Sequence, residues 1–319
     1  MKHPDDKHGT SMNTIEKAMQ RLRSSTVEDQ KVIAATAKTA PERQLTAEQI
    51  AEADRLTKSN NISPATTATS VNYCELDFNE LSRKGFLTPD IPDESLREEY
   101  RMIKRPLLNN ARGKSAVPVA QGNLIVVTSA MPGEGKTYNS LNLAISFATE
   151  HDTHVLLIDG DVIKPTLTAI LGLSDEPGLT DLLSGKINHV SDILYKTNMP
   201  KLTVIPAGKH HAHDTELLSS DKMRHLTEEL AVRYSDRIVV FDAPPILATS
   251  HARVMAQYAG QIVLVVEAGK TLEYSIKDAV SQIGSDKVVG VVLNKGRGAF
   301  GTSYYGSYGT YGAQASKEK

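Results

Sequence analysis

Hydrophobic residues are distributed unevenly along this chain. From about residue 122 onward, short uninterrupted apolar runs alternate with helix-length segments. The runs are NLIVVTS, HVLLID, LTVIPAG, RIVVFD, QIVLVVE and VVGVVLN. Because they lack polar alternation, they are typical of strands covered on both faces. Helical patterns at 138–150 and 220–234 lie between them. The sequence therefore predicts an α/β fold, a doubly wound and mostly parallel sheet between helices.

The first 92 residues have a different pattern. They are polar, contain few β-branched runs, and include loop-like stretches such as 58–70. Two short amphipathic helices are predicted there, at 14–23 and 45–56. We interpret 1–92 as an N-terminal extension that is partly helical or flexible.

A third and stronger helix is predicted at 93–108, ended by Pro106. With the polar linker that follows, it forms a segment at 93–115. The main α/β domain is then predicted at 116–298, and a flexible tail rich in Gly and Tyr at 299–319.

Composition and charge exclude several classes of protein. The 319 residues are 40% hydrophobic and carry a formal charge of −2, so no general cationic field would attract nucleic acid. Cys74, the one cysteine, has no partner for an internal disulfide. No stretch reaches the roughly 18 apolar residues of a membrane-spanning helix, and the N-terminus lacks a signal-peptide core. We expect a cytoplasmic protein that does not bind nucleic acid.

A phosphate-binding loop (P-loop), SAMPGEGKT at 129–137, follows the first predicted strand and precedes a helix. Its glycines let backbone N–H groups converge on phosphate oxygens, and the helix adds its positive N-terminal end. Lys136 can reach the β- and γ-phosphates, and the Thr137 hydroxyl can hold Mg²⁺. We therefore predict a site for ATP and Mg²⁺. The predicted nucleotide-binding residues are Met131, Pro132, Gly133, Glu134, Gly135, Lys136, Thr137 and Tyr138.

Acidic residues end two other predicted strands. Asp159 and Asp161 follow HVLLI, and Asp242 follows RIVVF. Three carboxylates near one P-loop repel each other without a cation, which supports Mg²⁺ binding. With Lys136 they supply the positioning and charge neutralisation that phosphoryl transfer needs. The acceptor stays open at this point, because water would make an ATPase and a hydroxyl a kinase.

Four tyrosines lie close together in the tail: Tyr304, Tyr305, Tyr308 and Tyr311. Gly and Ser separate them, so we expect their hydroxyls to be mobile and accessible to solvent. Next to a nucleotide site, the tail is interpreted as a phosphate acceptor, reached in trans by a neighbouring subunit. The alternative is an interaction segment that is never phosphorylated.

With these motifs, the chain resembles the bacterial tyrosine autokinases (BY-kinases), especially the stand-alone cytoplasmic type associated with exopolysaccharide and exosortase loci. The similarity covers about 93–312. SAMPGEGKT resembles the family's Walker A motif, LLIDGDVIKP its Walker A′ and VVFDAPPIL its Walker B. The resemblance implies a P-loop NTPase fold of the deviant-Walker type, a kinase domain at 116–298, and regulation of exopolysaccharide polymerisation or export.

Several residue roles are implied by the resemblance alone. Four residues would hold the phosphates and the metal ion: Lys136, Thr137, Asp161 and Asp242. Asp159 would orient or deprotonate the attacking tyrosine hydroxyl, a role it could exchange with Asp161. Asn294, after the last predicted strand, resembles the family's adenine-side residue.

The resemblance also implies assembly and partners. Glu98, Arg101 and Lys104 resemble the Glu-x-x-Arg-x-x-Arg motif of a homo-oligomeric ring that presents each tail to the next active site. Lys104 lacks the bidentate geometry of arginine. The implied activator is a polysaccharide copolymerase, a chain-length determinant protein that would recruit this chain to the inner membrane. A cognate tyrosine phosphatase would reverse the modification.

Two departures keep other functions open. Ile163 precedes Lys164 where the family often has arginine, and His251 follows Ser250 where the family often has aspartate. One alternative is a P-loop ATPase switch of the partition type, although those proteins usually carry a signature lysine where Met131 stands. The other is a catalytically weak scaffold that binds nucleotide.

Overall fold

A computed structural model describes four parts of the chain: residues 72–89, 93–211, 214–233 and 237–296. Outside the described residues lie the predicted helices at 14–23 and 45–56 and the four tyrosines of the predicted tail.

The described residues form eight strands and nine α-helices. The strands are β1 Tyr73–Cys74, β2 Leu124–Ser129, β3 His154–Asp159, β4 Tyr195–Thr197, β5 Leu202–Ile205, β6 Arg237–Asp242, β7 Gln261–Glu267 and β8 Val288–Asn294. The helices are α1 Phe78–Arg83, α2 Glu94–Ala111, α3 Lys136–Ala148, α4 Thr166–Ile170, α5 Leu179–Ser184, α6 Asp214–Leu218, α7 Asp221–Arg233, α8 Ser250–Tyr258 and α9 Glu273–Ile283. A 3₁₀ turn occupies Val190–Ile193. None of the described helices is long and apolar enough to span a membrane.

The eight strands form one sheet in the order β1-β4-β5-β3-β6-β2-β7-β8. Every neighbouring pair is parallel except β4 and β5. The six strands predicted from the apolar runs are all present, which confirms the mostly parallel α/β fold. Because β3, β6 and β2 are parallel neighbours, their carboxyl ends meet at one edge of the sheet, and Asp159 is paired in register with Asp242.

Helices cover both faces of the sheet, and alternate residues of each central strand point to opposite sides. Ile125 and Val127 of β2 pack on the side of α2 and α3, whereas Leu124 and Val126 pack with residues of α7, α8 and α9. This double burial explains why the strand sequences lack polar alternation.

One predicted helix end is wrong. Helix α2 continues through Pro106 to Ala111 instead of ending at the proline. A proline inside a helix costs about 3 kcal/mol, because it removes a hydrogen bond and crowds the preceding turn. Leu107 and Leu108, the next two residues, are buried in the core. Burial of such side chains stabilises by about 1.5–3 kcal/mol each, which offsets the cost of the proline.

Residues 72–89, predicted as the end of the N-terminal extension, pack into the same core. Strand β1 pairs with β4, and five apolar side chains are buried with those of α2 and α3: Cys74, Leu76, Leu81, Phe86 and Leu87. Helix α1 begins where the Asp77 carboxylate accepts a hydrogen bond from the Glu80 N–H. The fold of the described residues therefore begins before the predicted boundary at residue 92.

Candidate active site

A cavity of about 380 Å³ opens beside the P-loop, at the carboxyl ends of the parallel strands. Open α/β sheets bind their ligands at this edge. Its walls come from the P-loop, the segment after β3 and the segment after β6. The lining residues are Pro132, Gly133, Gly135, Lys136, Thr137, Asp161, Ile163, Lys164, Thr166, Pro244, Pro245, Ala248 and Thr249.

The P-loop needs glycine at two positions. Gly133 and Gly135 have φ angles of 85° and 100°, in the left-handed region that other residues rarely adopt. At Gly135, a Cβ atom would also lie 2.0 Å from the Asn294 side-chain amide nitrogen. Helix α3 begins at the next residue, so its first N–H groups face the cavity end of the loop.

The Lys136 ammonium forms an ion pair across the cavity floor. Its Nζ lies 2.8 Å from Oδ2 of Asp161, and both side chains are largely buried. Burial by itself lowers the pKa of Lys136, but the negative charges of Asp242 and Asp161 outweigh it, so the pKa is raised. Lys136 is thus a charged group at neutral pH, held where an incoming phosphate would compete with a carboxylate for it.

Asp242 is completely buried and only partly satisfied. Its Oδ1 accepts a hydrogen bond from Ser140 Oγ at 3.0 Å. Its Oδ2 is buried without any hydrogen-bond partner. Burial raises the pKa of Asp242, while the charge of Lys136 opposes that shift. A buried carboxylate oxygen with no donor fits a hard cation or its bound water.

The predicted metal ligands Thr137, Asp161 and Asp242 lie in this hydrogen-bonded group around Lys136. Within the described residues, no three His, Cys, Asp or Glu side chains converge as a protein-only metal site. These oxygen donors fit Mg²⁺, which binds through one or two carboxylates together with phosphate oxygens and water.

Asp159 lies behind this group and does not line the cavity. Its Oδ2 accepts hydrogen bonds from the N–H and Oγ1 of Thr168, at 2.8 and 2.7 Å, and its Oδ1 accepts one from the Asp161 N–H. Burial and the Asp242 charge raise the pKa of Asp159 to about 7, despite these three donors. Of the two carboxylates whose roles could be exchanged, the structure places Asp161 at the cavity wall and Asp159 beneath it.

Four of the predicted nucleotide-binding residues do not line the cavity. Tyr138 points away from it and donates its hydroxyl to Gly85 O at 2.7 Å. Met131 donates its N–H to the buried Glu134 carboxylate, which also accepts from the Thr271 hydroxyl. Asn294 donates its side-chain amide to Glu134 O at 2.8 Å. In the structure Asn294 supports the loop from outside, and Met131 and Glu134 contact each other within it.

Sequence reasoning did not single out three residues of the site. Ser140 and Thr168 hold Asp242 and Asp159, and each is recognisable only once the strands are paired. Lys164 lines the cavity as a second lysine beside Lys136. The signal for Lys164 was present, because it follows Asp161 by three residues at the same strand end.

The three residues of the predicted oligomerisation motif have different environments. Arg101 is exposed and pairs with Glu98 at 2.8 Å and with Glu94 on the same helix. Lys104 is buried instead, and its Nζ donates to Ser146 O at 2.8 Å and pairs with Glu150 at 2.7 Å. The lysine that replaces the motif's arginine therefore joins α2 to the end of α3 within one chain.

The two departures from the family pattern lie close to the site in sequence. Ile163 is exposed on the cavity wall and presents an apolar side chain there, next to Lys164. His251 lies in the first turn of α8, and neither of its buried ring nitrogens has a hydrogen-bond partner.

Comparison with known proteins adds three findings. The family model described as an AAA domain matches residues 122–283, which contain the P-loop and both acidic segments. The tyrosine-protein kinase YwqD of Bacillus subtilis is 34% identical over 215 residues, which are 67% of this chain and 86% of YwqD. The putative tyrosine-protein kinase CapB of Staphylococcus aureus is 31% identical over 71% of this chain and 98% of CapB.

A solved structure shares the fold as well. The kinase domain of the Escherichia coli tyrosine kinase ETK superposes with a TM-score of 0.58 at 26% identity, covering 73% of this chain and 92% of that domain.

Proposed function

This chain belongs to the bacterial tyrosine-protein kinases, and we propose that it is an ATP- and Mg²⁺-dependent autokinase acting on its own C-terminal tyrosines. The cavity at the strand ends carries the proposal. A charged lysine and a carboxylate line it, and beneath the lining lies the buried Asp242, which has an oxygen that lacks a partner. Phosphoryl transfer needs such a site, since it depends on positioning and on neutralising charge.

Each part of the site has a chemical task in this proposal. The N–H groups of the P-loop and of the first turn of α3 bind the phosphates, and Lys136 moves from Asp161 to the phosphate oxygens. Thr137, Asp242 and Asp161 would hold Mg²⁺, which when bound would supply positive charge against the phosphates. Asp161, placed at the wall, orients the tyrosine hydroxyl and accepts its proton; the hydroxyl oxygen attacks the γ-phosphorus, and ADP leaves.

The proposed acceptors are Tyr304, Tyr305, Tyr308 and Tyr311, phosphorylated by a neighbouring subunit. The exposed Glu98 and Arg101 support a contact between subunits. Each phosphate adds about −1.5 to −2 charges at neutral pH, which would weaken docking of the tail and the assembly that depends on it. The proposed biological role is control of exopolysaccharide polymerisation or export. The partners would be a polysaccharide copolymerase in the membrane as activator and a tyrosine phosphatase that resets the tail.

Mass spectrometry with ATP and Mg²⁺ tests the reaction. The wild-type chain is compared with Lys136→Met and with a chain cut after Gly301, which lacks the four tyrosines. We expect phosphate on the tail of the wild-type chain and none in either variant alone. ATP hydrolysis without tail phosphate would indicate the ATPase switch, and binding without turnover would indicate the scaffold.

Mixing the two variants tests transfer in trans. The chain cut after Gly301 retains the site, and the Lys136→Met chain retains the tail. We expect phosphate to appear on the Lys136→Met tail only in the mixture. A wild-type chain that is phosphorylated while the mixture stays unmodified would indicate transfer within one chain.

A further inference from the structure

Three consecutive carbonyl groups of the P-loop each accept a hydrogen bond from a side chain outside the loop. Lys295 Nζ donates to Gly133 O at 2.7 Å, Asn294 Nδ2 to Glu134 O at 2.8 Å, and Asn139 Nδ2 to Gly135 O at 3.0 Å. We call these three side chains the carbonyl clamp.

The clamp determines which way the loop's peptide groups point. Because a peptide unit is planar, a carbonyl held on one side directs the N–H of the same unit to the other side. The clamp holds three carbonyls away from the cavity, so the N–H groups of the following residues remain available to phosphate oxygens. Preorganised donors of this kind bind an anion without the cost of reorienting dipoles.

Lys295 combines two roles in the clamp. It is the residue directly after β8, and its φ angle of 57° turns the chain sharply as it leaves the sheet. A lysine in this left-handed conformation is strained, so the surrounding contacts must hold it there. Those contacts are Gly133 O and the Glu267 carboxylate, 3.1 Å from Nζ.

We propose that Lys295 is a positioning residue for the P-loop, which orients Gly133 for phosphate binding and joins the start of the C-terminal segment to the nucleotide site. The inference rests on the proposed nucleotide site and adds a residue to which the predicted motifs give no role. Since residues 297–319 with the tyrosines follow directly, the position of their attachment point and the shape of the P-loop are linked through one side chain.

Lys270 provides a matched control. It also pairs with Glu267, at 3.3 Å, and is exposed, but within the described parts of the chain its ammonium contacts that carboxylate and not the loop. Lys295→Met and Lys270→Met thus remove the same charge from the same acid, and only Lys295→Met removes the bond to Gly133 O. Lys295→Arg keeps N–H donors at the position.

The experiment measures the Kd of Mg·ADP by calorimetry and the thermal stability without nucleotide. We expect Lys295→Met to weaken Mg·ADP binding by about three- to tenfold, because the lost bond has a charged donor that is only partly exposed. Lys270→Met should stay within about twofold of wild type, and Lys295→Arg should recover most of the loss. The melting temperature without nucleotide should be the same for both methionine variants.

Two results would overturn the proposal: equal Kd values for the two methionine variants, or a loss of affinity matched by a lower melting temperature for Lys295→Met. A wild-type chain that does not bind Mg·ADP would also overturn it. A wild-type chain that binds Mg·ADP but leaves its tail unmodified would contradict the autokinase proposal while leaving the clamp to be judged on the Kd values.

Discussion

The two sides of the P-loop differ in how completely their polar groups are satisfied. On the outer side, every carbonyl from Gly133 to Gly135 and the Glu134 carboxylate have donors. On the cavity side, Asp242 keeps a buried oxygen without a partner, and Lys136 is paired with an acid that a phosphate would displace. The polar groups named on the outer side therefore have their partners within the protein, whereas those on the cavity side gain theirs only when a ligand binds.

The difference separates stability from function within one loop. A hydrogen-bond network in which every group has a partner fixes the loop geometry. Buried carboxylates close to one another repel each other, and a bound cation relieves that repulsion. Substitutions on the cavity side should therefore change activity more than stability. Substitutions on the outer side should change activity by smaller amounts, and should lower stability where the side chain is buried, as Tyr100 is.

The largest effect is expected from Asp242→Asn. The substitution keeps an acceptor for Ser140 but removes a buried charge that would help to hold Mg²⁺. We expect tail phosphorylation to fall by about 100-fold or more, as when one electrostatic group of an active site is lost. At pH 8 the protein without nucleotide should melt no lower than wild type, because repulsion with Asp159 is removed. Phosphorylation rates and melting curves check both, and a clear loss of stability would contradict the division between the two sides.

The next effect is a dependence of stability on pH. The pKa of Asp159 is raised to about 7, and that of Asp242 is raised in the same direction, from an unfolded value near 4. The folded state therefore binds more protons than the unfolded state. The stabilisation that these groups contribute is fully present below about pH 4 and is lost as the pH rises through 7.

We expect the melting temperature without nucleotide to fall by several degrees between pH 5.5 and 8.5, since 1 kcal/mol corresponds to about 2–4 °C in a domain of this size. Mg·ADP should stabilise more at pH 8.5 than at pH 5.5. Asp242→Asn should flatten the profile, and an unchanged slope in that variant would assign the pH dependence to other groups.

A smaller effect is expected from Tyr100→Phe on the outer side. The Tyr100 hydroxyl donates to Asn139 Oδ1 at 2.9 Å and accepts from Asn142, and Asn139 in turn holds Gly135 O. Without the hydroxyl, two buried amides lose a partner, at a cost of about 1–3 kcal/mol. We expect a lower melting temperature and a Kd for Mg·ADP raised by about two- to threefold.

Tyr195→Phe is the control for that substitution. It removes a hydroxyl that hydrogen-bonds to Glu176 and Pro177 O. Tyr195 lies in β4, which β5, β3 and β6 separate from β2, the strand that leads into the P-loop. Its stability should fall while the Kd stays unchanged. If both tyrosine variants raised the Kd equally, the effect of Tyr100 would reflect general destabilisation.

The smallest effect is expected from Thr271→Val. It removes the hydroxyl that donates to Glu134, but Glu134 keeps the Met131 N–H as a donor. We expect a change in Kd below about twofold, measured beside Lys295→Met. A larger change than that of Lys295→Met would mean that the Glu134 side chain, and not the carbonyl clamp, sets the shape of the loop.

The central fold and the cavity residues were predictable because their signals are local. Strands buried on both faces give continuous apolar runs, and parallel strands bring their last residues together, so Asp159, Asp161 and Asp242 could be placed at one edge in advance. The P-loop motif likewise carries its geometry within one short, continuous segment.

The remaining features depend on contacts between distant residues. Strand β4 has three residues and β1 has two, too few for a periodic signal. The burial of Lys104 is set by Ser146 on α3 and by Glu150 just after that helix, so spacing along α2 cannot reveal it. Two of the three clamp bonds join residues about 160 positions apart, and only the paired strands show that β8 ends beside the loop.

The packing of residues 72–89 has a practical consequence for anyone who shortens this protein. A fragment that begins at Asp93 would keep every nucleotide-binding motif. It would also remove the strand that pairs with β4, the N–H of Leu87 that binds Asn142, and the carbonyl of Gly85 that binds Tyr138. Such a fragment would look intact in an alignment, but we expect it to express poorly. A fragment that begins near residue 72 would keep β1 and the contacts that residues 72–89 make with the core.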